Sequence, residues 1–352
     1  MATLYVTEPG LQVHKIGQRI VLRREGEIVQ DIPLIKVDRV VLMGRGVGIT
    51  TPALYALTRQ NIDVVYLTSH GAFISRVNGK GHNNTRLRYQ QALAVADPAK
   101  ALVVARAVVR GKIHNQRIFM QRALVGQSWA ERSLTAMESA ARRLDSAATL
   151  DELRGLEGTA AREYFSLMRQ ALRPPADGPT WGFETRAYYP PPDPINAVLS
   201  FGYTLLLNQV IAACQIGGLD PALGFFHSVD FGKPSMALDL EEGFRALLVD
   251  SVVLTAANRG LLRLQDFALQ QSAPRGGEDE EEEAGESRPR IMLKNDARQK
   301  FITLFENRLN ETVIYPSLSE ETTYRRVLEL QVYQMAQMIL GEAPAFIPFM
   351  LR

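Results

Sequence analysis

The stretch Asn196–Gly218, NAVLSFGYTLLLNQVIAACQIGG, decides the fold. It is apolar almost all round, which is the pattern of a helix buried on every side and not of a surface helix with one apolar face. Gly217 and Gly218 end the pattern, as glycines commonly end helices. Because such a helix needs neighbours that cover it, we expect it to form the buried centre of a larger helical domain.

The sequence before this domain has the pattern of a β-sheet. Between Leu4 and about Val77, short β-rich runs alternate with turns, and Arg23–Gly26 predicts a hairpin turn between two of them. One helical stretch, TPALYALTRQ at 51–60, interrupts the strands. The polar run KGHNNTRLRYQ at 80–90 contains turn-forming residues and separates the strands from long helical patterns, so it predicts a linker.

We therefore predict an α+β protein, in which a small N-terminal β-sheet domain is followed by a larger all-α domain. The sheet domain is residues 1–79, the linker 80–90 and the helical domain 91–352. A length of 352 residues is enough for two domains that each bury a core. Near the end of the helical domain, Tyr324–Leu340 predicts a long amphipathic helix that stops at Gly341.

A run of six acids, 278–283, lies in a segment rich in Gly, Pro and Ser at 272–290. This segment is too polar and too self-repelling to compact, so we predict a disordered acidic loop. The net charge of +2 includes the run, and the rest of the chain is moderately basic. Such a balance suits a polyanionic partner, although many proteins that never touch nucleic acid are equally basic.

The single cysteine, Cys214, excludes a disulfide framework within the chain and a four-cysteine zinc site. A reducing, cytoplasmic location is therefore expected. The N-terminus lacks the pattern of a secretory signal, and no run of 18 apolar residues occurs. We expect neither secretion nor membrane insertion.

Several catalytic motifs are absent from the sequence: HExxH, a Glu-x-x-His pair and the G-x-S-x-G nucleophile elbow. Cys214 has no histidine nearby in sequence, so nucleophilic side-chain catalysis is disfavoured. The glycines of MGRGVG at 43–48 are placed like those of a dinucleotide-binding turn, but the third glycine is replaced by Ile49. A tight strand-to-helix turn is favoured instead.

The motif LEGTAAREYF at 156–165 contains the first candidate metal ligand, Glu157. Its small neighbours on a helix let other helices approach closely, which would allow an inward-facing carboxylate. The alternative is an exposed glutamate paired with Arg154 or Arg162.

The motif GFFHSVDFGKPSMALDLEEGFRALLVD at 224–250 combines a histidine with acids. His227 precedes a predicted helix on which Asp239 and Glu242 share a face, because they are three residues apart. An imidazole with carboxylate oxygens suits Mn²⁺ or Mg²⁺. The alternative is a capped histidine beside a surface helix whose Glu241 and Glu242 pair with Arg245.

A basic stripe is predicted on the helix between 98 and 124, because its cations recur at spacings of four and three. Its members are Arg106, Arg110, His114 and Arg117.

Taken together, these segments resemble the CRISPR-associated adaptation endonuclease/integrase family, called Cas-one, from the N-terminus nearly to residue 352. The resemblance includes GVGITTPALYALTRQNIDVVYLTSHGAFISRV, ALVVARAVVRGKIHNQRIFMQR, LEGTAAREYF and YPPPDPINAVLSFGYTLL. GLDPALGFFH, ALDLEEGFRALLVD and YRRVLELQVYQMAQMILGE follow in the family's order.

The resemblance implies a metal-binding triad of Glu157, His227 and Glu242 that holds Mg²⁺ or Mn²⁺, with Asp239 as a supporting catalytic acid. After Asp239 the family usually has LMEEFR, whereas this chain has LEEGFR. Helix geometry favours Glu242 over Glu241 as the ligand, because Glu242 shares a face with Asp239.

The implied reaction is the insertion of captured DNA fragments, or spacers, into the CRISPR repeat array. The 3′-hydroxyl of the fragment attacks a phosphodiester of the repeat, and with water as the nucleophile the same site nicks DNA. The implied partners are prespacer and repeat DNA, a second copy of the chain, and the Cas-two protein in a 4:2 complex, with no membrane.

Backbone contacts to DNA are assigned to five arginines, which would add affinity without reading sequence. They are Arg86, Arg88, Arg106, Arg110 and Arg117. The alternative for the helical stripe is a solvated face.

Three other functions remain open at this stage. One is a branched-DNA nuclease or repair enzyme that does not integrate. Another is a catalytically dead DNA-binding scaffold, in which the same residues only hold helices together. The third is a metal-dependent hydrolase of small molecules.

Overall fold

The computed structural model of the chain describes residues 2–68, 73–77, 84–187, 190–270, 290–316 and 320–351. Two four-stranded sheets form the N-terminal region, with strand orders β1-β5-β7-β8 and β4-β3-β2-β6. Their elements are β1 (Ala2–Val6), β2 (Gln12–Ile16), β3 (Arg19–Arg24), β4 (Glu27–Pro33), β5 (Val37–Met43), β6 (Gly48–Ile49), α1 (Thr51–Arg59), β7 (Asp63–Leu67) and β8 (Phe73–Val77).

The hairpin between β3 and β4 turns at Glu25 and Gly26, which both have positive φ. Two successive positive φ angles are the geometry that suits a tight two-residue hairpin. The predicted hairpin and the predicted helix at 51–60, which is α1, are both confirmed.

Strands β5 and β7 connect the two halves of the molecule, because their alternate side chains point to opposite faces. Val40 and Val64 join a small core between the sheets, whereas Val41 and Val65 join the core of the helical region. The sheet region is therefore packed directly onto the helices.

The larger region is mostly helical, and the α+β class with this order of regions is confirmed. Its helices are α2 (Thr85–Ala96), α3 (Pro98–Ala123), α4 (Glu131–Arg143), α5 (Leu150–Ala171), α6 (Pro194–Gly217), α7 (Ser235–Glu242), α8 (Ser251–Asn258), α9 (Asn295–Asn310) and α10 (Tyr324–Leu340). The prediction that this region is all helical was wrong in one respect, because it also contains two antiparallel strand pairs. These are β9 (Phe267–Gln270) with β10 (Arg290–Leu293), and β11 (Thr312–Tyr315) with β12 (Glu320–Thr323).

The linker predicted at 80–90 is wrong over its second half, where helix α2 begins. The side chain of Asn84 accepts a hydrogen bond from the backbone N–H of Leu87, which caps the helix start. Leu87 and Gln91 are buried on the inner face of α2, so tertiary contacts hold this polar sequence in a helix. The predicted acidic loop at 272–290 lies outside the described residues, except that Arg290 begins β10.

Helix α6 is the predicted buried centre, with most of its residues inside the protein. Gly218 ends it in a left-handed conformation at φ 82°. At Gly202 a Cβ would lie 2.5 Å from a Cγ of Val249, so glycine lets the next helical segment approach closely. Within the described part of the chain, α6 is the one helix long and apolar enough to cross a bilayer, but 83% of its most apolar window is buried in the protein.

The segment between α7 and α8 contains a π-helical turn, Arg245–Asp250, in which every residue after Arg245 is buried. Single π-turns inside helices are often found at functional sites. Here only Gly243 and Phe244 separate the turn from Glu242, and the turn packs against α3 and α6.

Candidate metal centre

Four side chains, from three helices and one loop, meet at one point in the helical region. Glu157 comes from α5, His227 from the loop before α7, and Glu242 from the last turn of α7. The ammonium of Lys112, from α3, lies between the two glutamates. The structure thus brings together all three residues of the predicted triad, although they are far apart in sequence.

The carboxylate of Asp239 fixes the position of His227. It accepts hydrogen bonds from the backbone N–H groups of Phe225, Phe226 and His227, at 2.6, 2.9 and 2.9 Å. The Nδ1 atom of His227 lies 2.7 Å from Asp239 Oδ1. This contact leaves Nε2 facing Glu242, with 3.7 Å between Nε2 and Oε1. Asp239 therefore supports the imidazole from behind, as a partner of a metal-bound histidine does.

Lys112 is a member of the site that the sequence analysis did not identify. Its Nζ lies 2.5 Å from Glu157 Oε1 and 2.7 Å from Glu242 Oε2. Burial opposes the charge on Lys112, but Glu242 and Glu157 outweigh it and raise the pKa of the amine above its ordinary value. The available signal was its position on the apolar stripe of α3, four residues after buried Val108 and three after buried Val109.

Arg245 holds the acids of α7 from the other side. Its Nη1 lies 3.0 Å from Glu242 Oε1, and its Nε lies 3.2 Å from Glu241 Oε1. Burial acts against the charge of Glu242, but Arg245, Lys112 and His227 together lower its pKa to about 2. Burial raises the pKa of Glu241 to about 7.

The surface-helix alternative for α7 does not hold. Both glutamates do pair with Arg245, as that alternative expected, but their side chains are 1% and 3% exposed. Glu242 contacts His227 and Lys112, whereas Glu241 contacts Arg245. The preference for Glu242 over Glu241, drawn from helix geometry, agrees with this arrangement.

The exposed alternative for Glu157 does not hold either. Arg154 pairs with Asp151 and donates to the carbonyl of Phe226, so it does not contact Glu157. The side chain of Glu157 is 20% exposed and faces Lys112.

The donor set fits a hard divalent cation, although the carboxylates are closed onto Lys112. Among the described residues, no group of three or more His, Cys, Asp or Glu side chains is already arranged as a set of metal ligands. The chemistry of the donors is nevertheless suitable: one imidazole Nε2, two carboxylates, and Asp239 as the partner of Nδ1. The acids of the site also outnumber its two fixed cations, Lys112 and Arg245, so a divalent ion would balance charge there. These acids are Glu157, Asp239, Glu241 and Glu242.

A further buried acid, Asp250, lies at the end of the π-helical turn. Tyr164 and Tyr203 donate hydrogen bonds to its two oxygens at 2.6 and 2.7 Å. Burial raises the pKa of Asp250 to about 6, although both hydrogen bonds act in the opposite direction. Arg245 lies over the ring of Tyr203 at 4.8 Å, which connects this network to the glutamates of α7.

The C-terminal segment is tied to the end of α7 through Asn115 of α3. The side-chain amide of Asn115 donates to the carbonyls of Gly243 and Phe349, and its oxygen accepts from the N–H of Leu351. The ring of Phe349 is stacked on that of Phe244 at 5.9 Å. The tail therefore covers the core next to the candidate site.

The five arginines predicted to contact DNA have different surroundings. Arg106 donates to the carbonyls of Leu144 and Ala147, at 2.8 and 2.9 Å, and so satisfies backbone groups that follow α4. Arg110 forms an exposed salt bridge with Asp145. Arg117 is half-buried, and Arg86 and Arg88 are exposed. The stripe is thus partly structural, which spacing alone could not show.

A family model described as "CRISPR associated protein Cas1" matches residues 4–307. This is the family that the sequence segments resemble. The match includes α3, α5 and α7, which provide the side chains of the candidate site.

Two curated relatives match along nearly the whole chain. The chain is 35% identical to a "CRISPR-associated exonuclease Cas4/endonuclease Cas1 fusion" from Geobacter sulfurreducens, over 99% of its own length but only 60% of that protein. It is 34% identical to "CRISPR-associated endonuclease Cas1 3" from Thermus thermophilus, over 100% of its own length and 98% of that protein.

Two solved structures share the fold. A structure titled "Casposase bound to integration product" has a TM-score of 0.81 at 22% identity, covering 100% of this chain and 95% of that one. A chain of a "Cas6-RT-Cas1–Cas2 complex" has a TM-score of 0.79 at 23% identity, covering 99% of this chain and 36% of that one. At these identities the likeness establishes the architecture.

Proposed function

The chain belongs to the family of CRISPR-associated Cas1 proteins, and from this premise we propose that it is a metal-dependent DNA endonuclease and integrase of CRISPR adaptation. Its reaction is the insertion of captured DNA fragments into the repeat array. The observation that carries this proposal is the convergence of Glu157, His227 and Glu242 at one partly buried point. The names of the relatives, which are endonucleases, support the same reaction class.

Glu157, His227 and Glu242 are the residues that would hold Mg²⁺ or Mn²⁺. Such an ion, when bound, would polarise the phosphodiester and stabilise negative charge on the attacking and leaving oxygens.

The protein's own groups prepare the donors. Asp239 keeps the proton of His227 on Nδ1, so that Nε2 presents a lone pair. Arg245 holds Glu242 ionised and fixes its carboxylate between α7 and the π-helical turn. No nucleophilic side chain is needed, because the nucleophile comes from the substrate.

The bond changes balance without a covalent enzyme intermediate. The 3′-oxygen of the captured fragment loses its proton and forms a bond to the phosphorus of the repeat. The bond from that phosphorus to the 3′-oxygen of the repeat strand breaks, and the leaving oxygen takes up a proton. With water in place of the fragment end, the same exchange nicks the DNA.

The partners proposed with this activity are DNA, a second copy of the chain and Cas2. The titles of the two structural neighbours name an integration product and a Cas1–Cas2 complex, which supports DNA and Cas2 as partners. We propose the 4:2 stoichiometry on the family resemblance, and a cytoplasmic location on the single, buried cysteine.

The test of integration is an assay with a supercoiled plasmid that carries a repeat and a labelled DNA fragment with free 3′-hydroxyls. An integrase transfers the label to the plasmid. A branched-DNA nuclease nicks the plasmid but does not join the labelled fragment to it. That result would favour the nuclease alternative over integration. A scaffold without catalysis gives neither product and shows no dependence on added Mn²⁺.

A further inference from the structure

Lys112 closes the candidate metal centre with its own positive charge. The side chain of Lys112 is 10% exposed, and its ammonium bridges carboxylates from two different helices, α5 and α7. Without that ammonium, the charges of Glu157 and Glu242 would face each other in a poorly solvated place, which is unfavourable. Lys112 therefore stabilises the site in the absence of a metal ion.

The oxygens that Lys112 contacts belong to the carboxylates that the metal would require. Glu157 Oε1 and Glu242 Oε2 lie within 2.5 and 2.7 Å of Nζ. A divalent ion of the Mg²⁺ type binds carboxylate oxygens at about 2 Å and would stand in the same space. Two cations cannot both lie between the same pair of carboxylates, so one must leave when the other arrives.

We propose that Lys112 is a resident counter-ion, which occupies the position of the metal in the metal-free protein and must withdraw from Glu157 and Glu242 when a divalent cation binds. This inference rests on the proposed function, because it concerns the same site. Metal affinity is then set by a competition: the protein gives up two short ion pairs for each ion that it takes up.

The other fixed cation of the site does not have this role. Arg245 pairs with Glu241 and Glu242, both of α7, so it does not lie between the two liganding carboxylates of α5 and α7. Arg245 can therefore remain in place beside a bound cation, whereas Lys112, which lies between those carboxylates, cannot. The four-carbon stem of a lysine is flexible enough for its ammonium to move aside.

The experiment measures Mn²⁺ binding to purified, metal-free protein without DNA, by the electron paramagnetic resonance signal of free aquo-Mn²⁺. Three proteins are compared: wild type, Lys112→Met and the control Arg169→Met. The control removes one positive charge from the same helix as Glu157, near the end of α5, where Arg169 pairs with exposed Glu184.

We expect Lys112→Met to bind Mn²⁺ at least about tenfold more tightly than wild type, because a competing charge at contact distance is removed. Arg169→Met should change the affinity by no more than about twofold, since a half-exposed charge is screened by solvent. Equal or weaker binding by Lys112→Met would overturn the inference, and so would an equal gain in the control.

Thermal unfolding provides a second measurement that does not depend on activity. Metal-free Lys112→Met should melt below wild type, because its two glutamates then repel, and saturating Mn²⁺ should raise its Tm more than that of wild type. If Lys112→Met does not fold without metal, Lys112→Gln keeps an amide donor for one carboxylate and should also bind Mn²⁺ more tightly than wild type. No gain in either variant contradicts the inference.

The plasmid assay separates this inference from the proposed function. If wild type binds Mn²⁺ but never joins DNA, the function fails while the competition can still be demonstrated. If wild type joins DNA but Lys112→Met and Lys112→Gln gain no affinity, the function stands and the inference fails. If none of the proteins binds Mn²⁺, both are wrong.

Discussion

The Nδ1 atom of His227 lies 2.7 Å from Oδ1 of Asp239, and the same carboxylate also accepts three backbone N–H groups. Asp239 has no exposed surface, so it acts only through the groups that it holds. Asp239 is therefore a positioning residue. Its removal should release the imidazole of His227 and the backbone N–H groups that it holds.

Asp239→Asn should weaken Mn²⁺ binding by roughly 10- to 100-fold and reduce strand transfer, because one acceptor oxygen is lost and the imidazole is no longer fixed. Mn²⁺ titration and the plasmid assay measure both effects. Asp230→Asn, an exposed position in the same loop whose carboxylate accepts from Ser228, serves as the control and should behave like wild type. Unchanged Mn²⁺ affinity in Asp239→Asn would remove Asp239 from the site.

Replacing the liganding residues should abolish strand transfer while DNA binding remains largely intact. The variants are Glu157→Gln, His227→Ala and Glu242→Gln, and each removes one donor from the candidate centre. Gel analysis of the joined product and filter binding of labelled DNA provide the two measurements. Glu163→Gln, on the same helix as Glu157 but paired with Ser133, should retain activity. Full activity in any of the three would exclude that residue as a ligand.

The stability of the protein should depend on pH through Asp250, whose pKa is raised to about 6 by burial. Between about pH 4 and pH 6 the folded protein keeps a proton on Asp250 that the unfolded chain has lost, so the free energy of unfolding falls as the pH rises. Asp250→Asn abolishes this titration, and relative to wild type it should gain up to about 3 kcal/mol between pH 4 and pH 7. Urea unfolding across that range provides the measurement.

The matched control for Asp250→Asn is Asp151→Asn, an exposed acid on α5. Its stability relative to wild type should stay nearly constant over the same pH range. A constant difference for Asp250→Asn as well would mean that Asp250 is ionised at every pH tested, with Tyr164 and Tyr203 sufficient to hold the charge.

A DNA-binding experiment should distinguish arginines that contact DNA from arginines that stabilise the fold. Replacing Arg86 and Arg88 together by alanine should make DNA binding less sensitive to salt, because exposed cations that contact phosphates release counterions. The measurement is the slope of log affinity against log salt concentration. An unchanged slope would favour a solvated surface at the start of α2.

Arg106→Ala should instead lower the free energy of unfolding by about 1–3 kcal/mol, since two backbone carbonyls lose their donor. The salt dependence of DNA binding should not change in this variant. A reduced slope with unchanged stability would return Arg106 to the group of predicted DNA contacts.

Helix α6 and helix α10 could be predicted from sequence because their signals are long and local. An apolar stretch that ends at Gly218, and an amphipathic period that ends at Gly341, each specify a helix without reference to the rest of the chain. The start of α2 could not be predicted in the same way, because a polar sequence is held in helical form by Asn84 and by burial of Leu87.

The sequence predicted which residues could donate to a metal in the candidate site, but it did not predict the cation that lies between the two glutamates. Glu157, His227 and Glu242 lie in motifs that resemble those of a family, so each could be named from its own segment. Lys112 also lies in a segment that resembles the family, 101–122, but the resemblance assigned it no role. Its role depends on contacts with Glu157, 45 residues away in sequence, and with Glu242 of α7. A charged residue on an apolar helix face was the one local sign of it.

The bonds of Asn115 have a practical consequence for handling the protein. They connect Gly243, at the exit of α7, to Phe349 and Leu351. Trimming the chain before Phe349 would remove one of the two carbonyls that accept from the Asn115 amide and the N–H that donates to its oxygen, and would expose one face of Phe244. Anyone who shortens this protein for crystallisation should therefore keep Phe349–Leu351, because these residues pack behind the helix that presents Glu242.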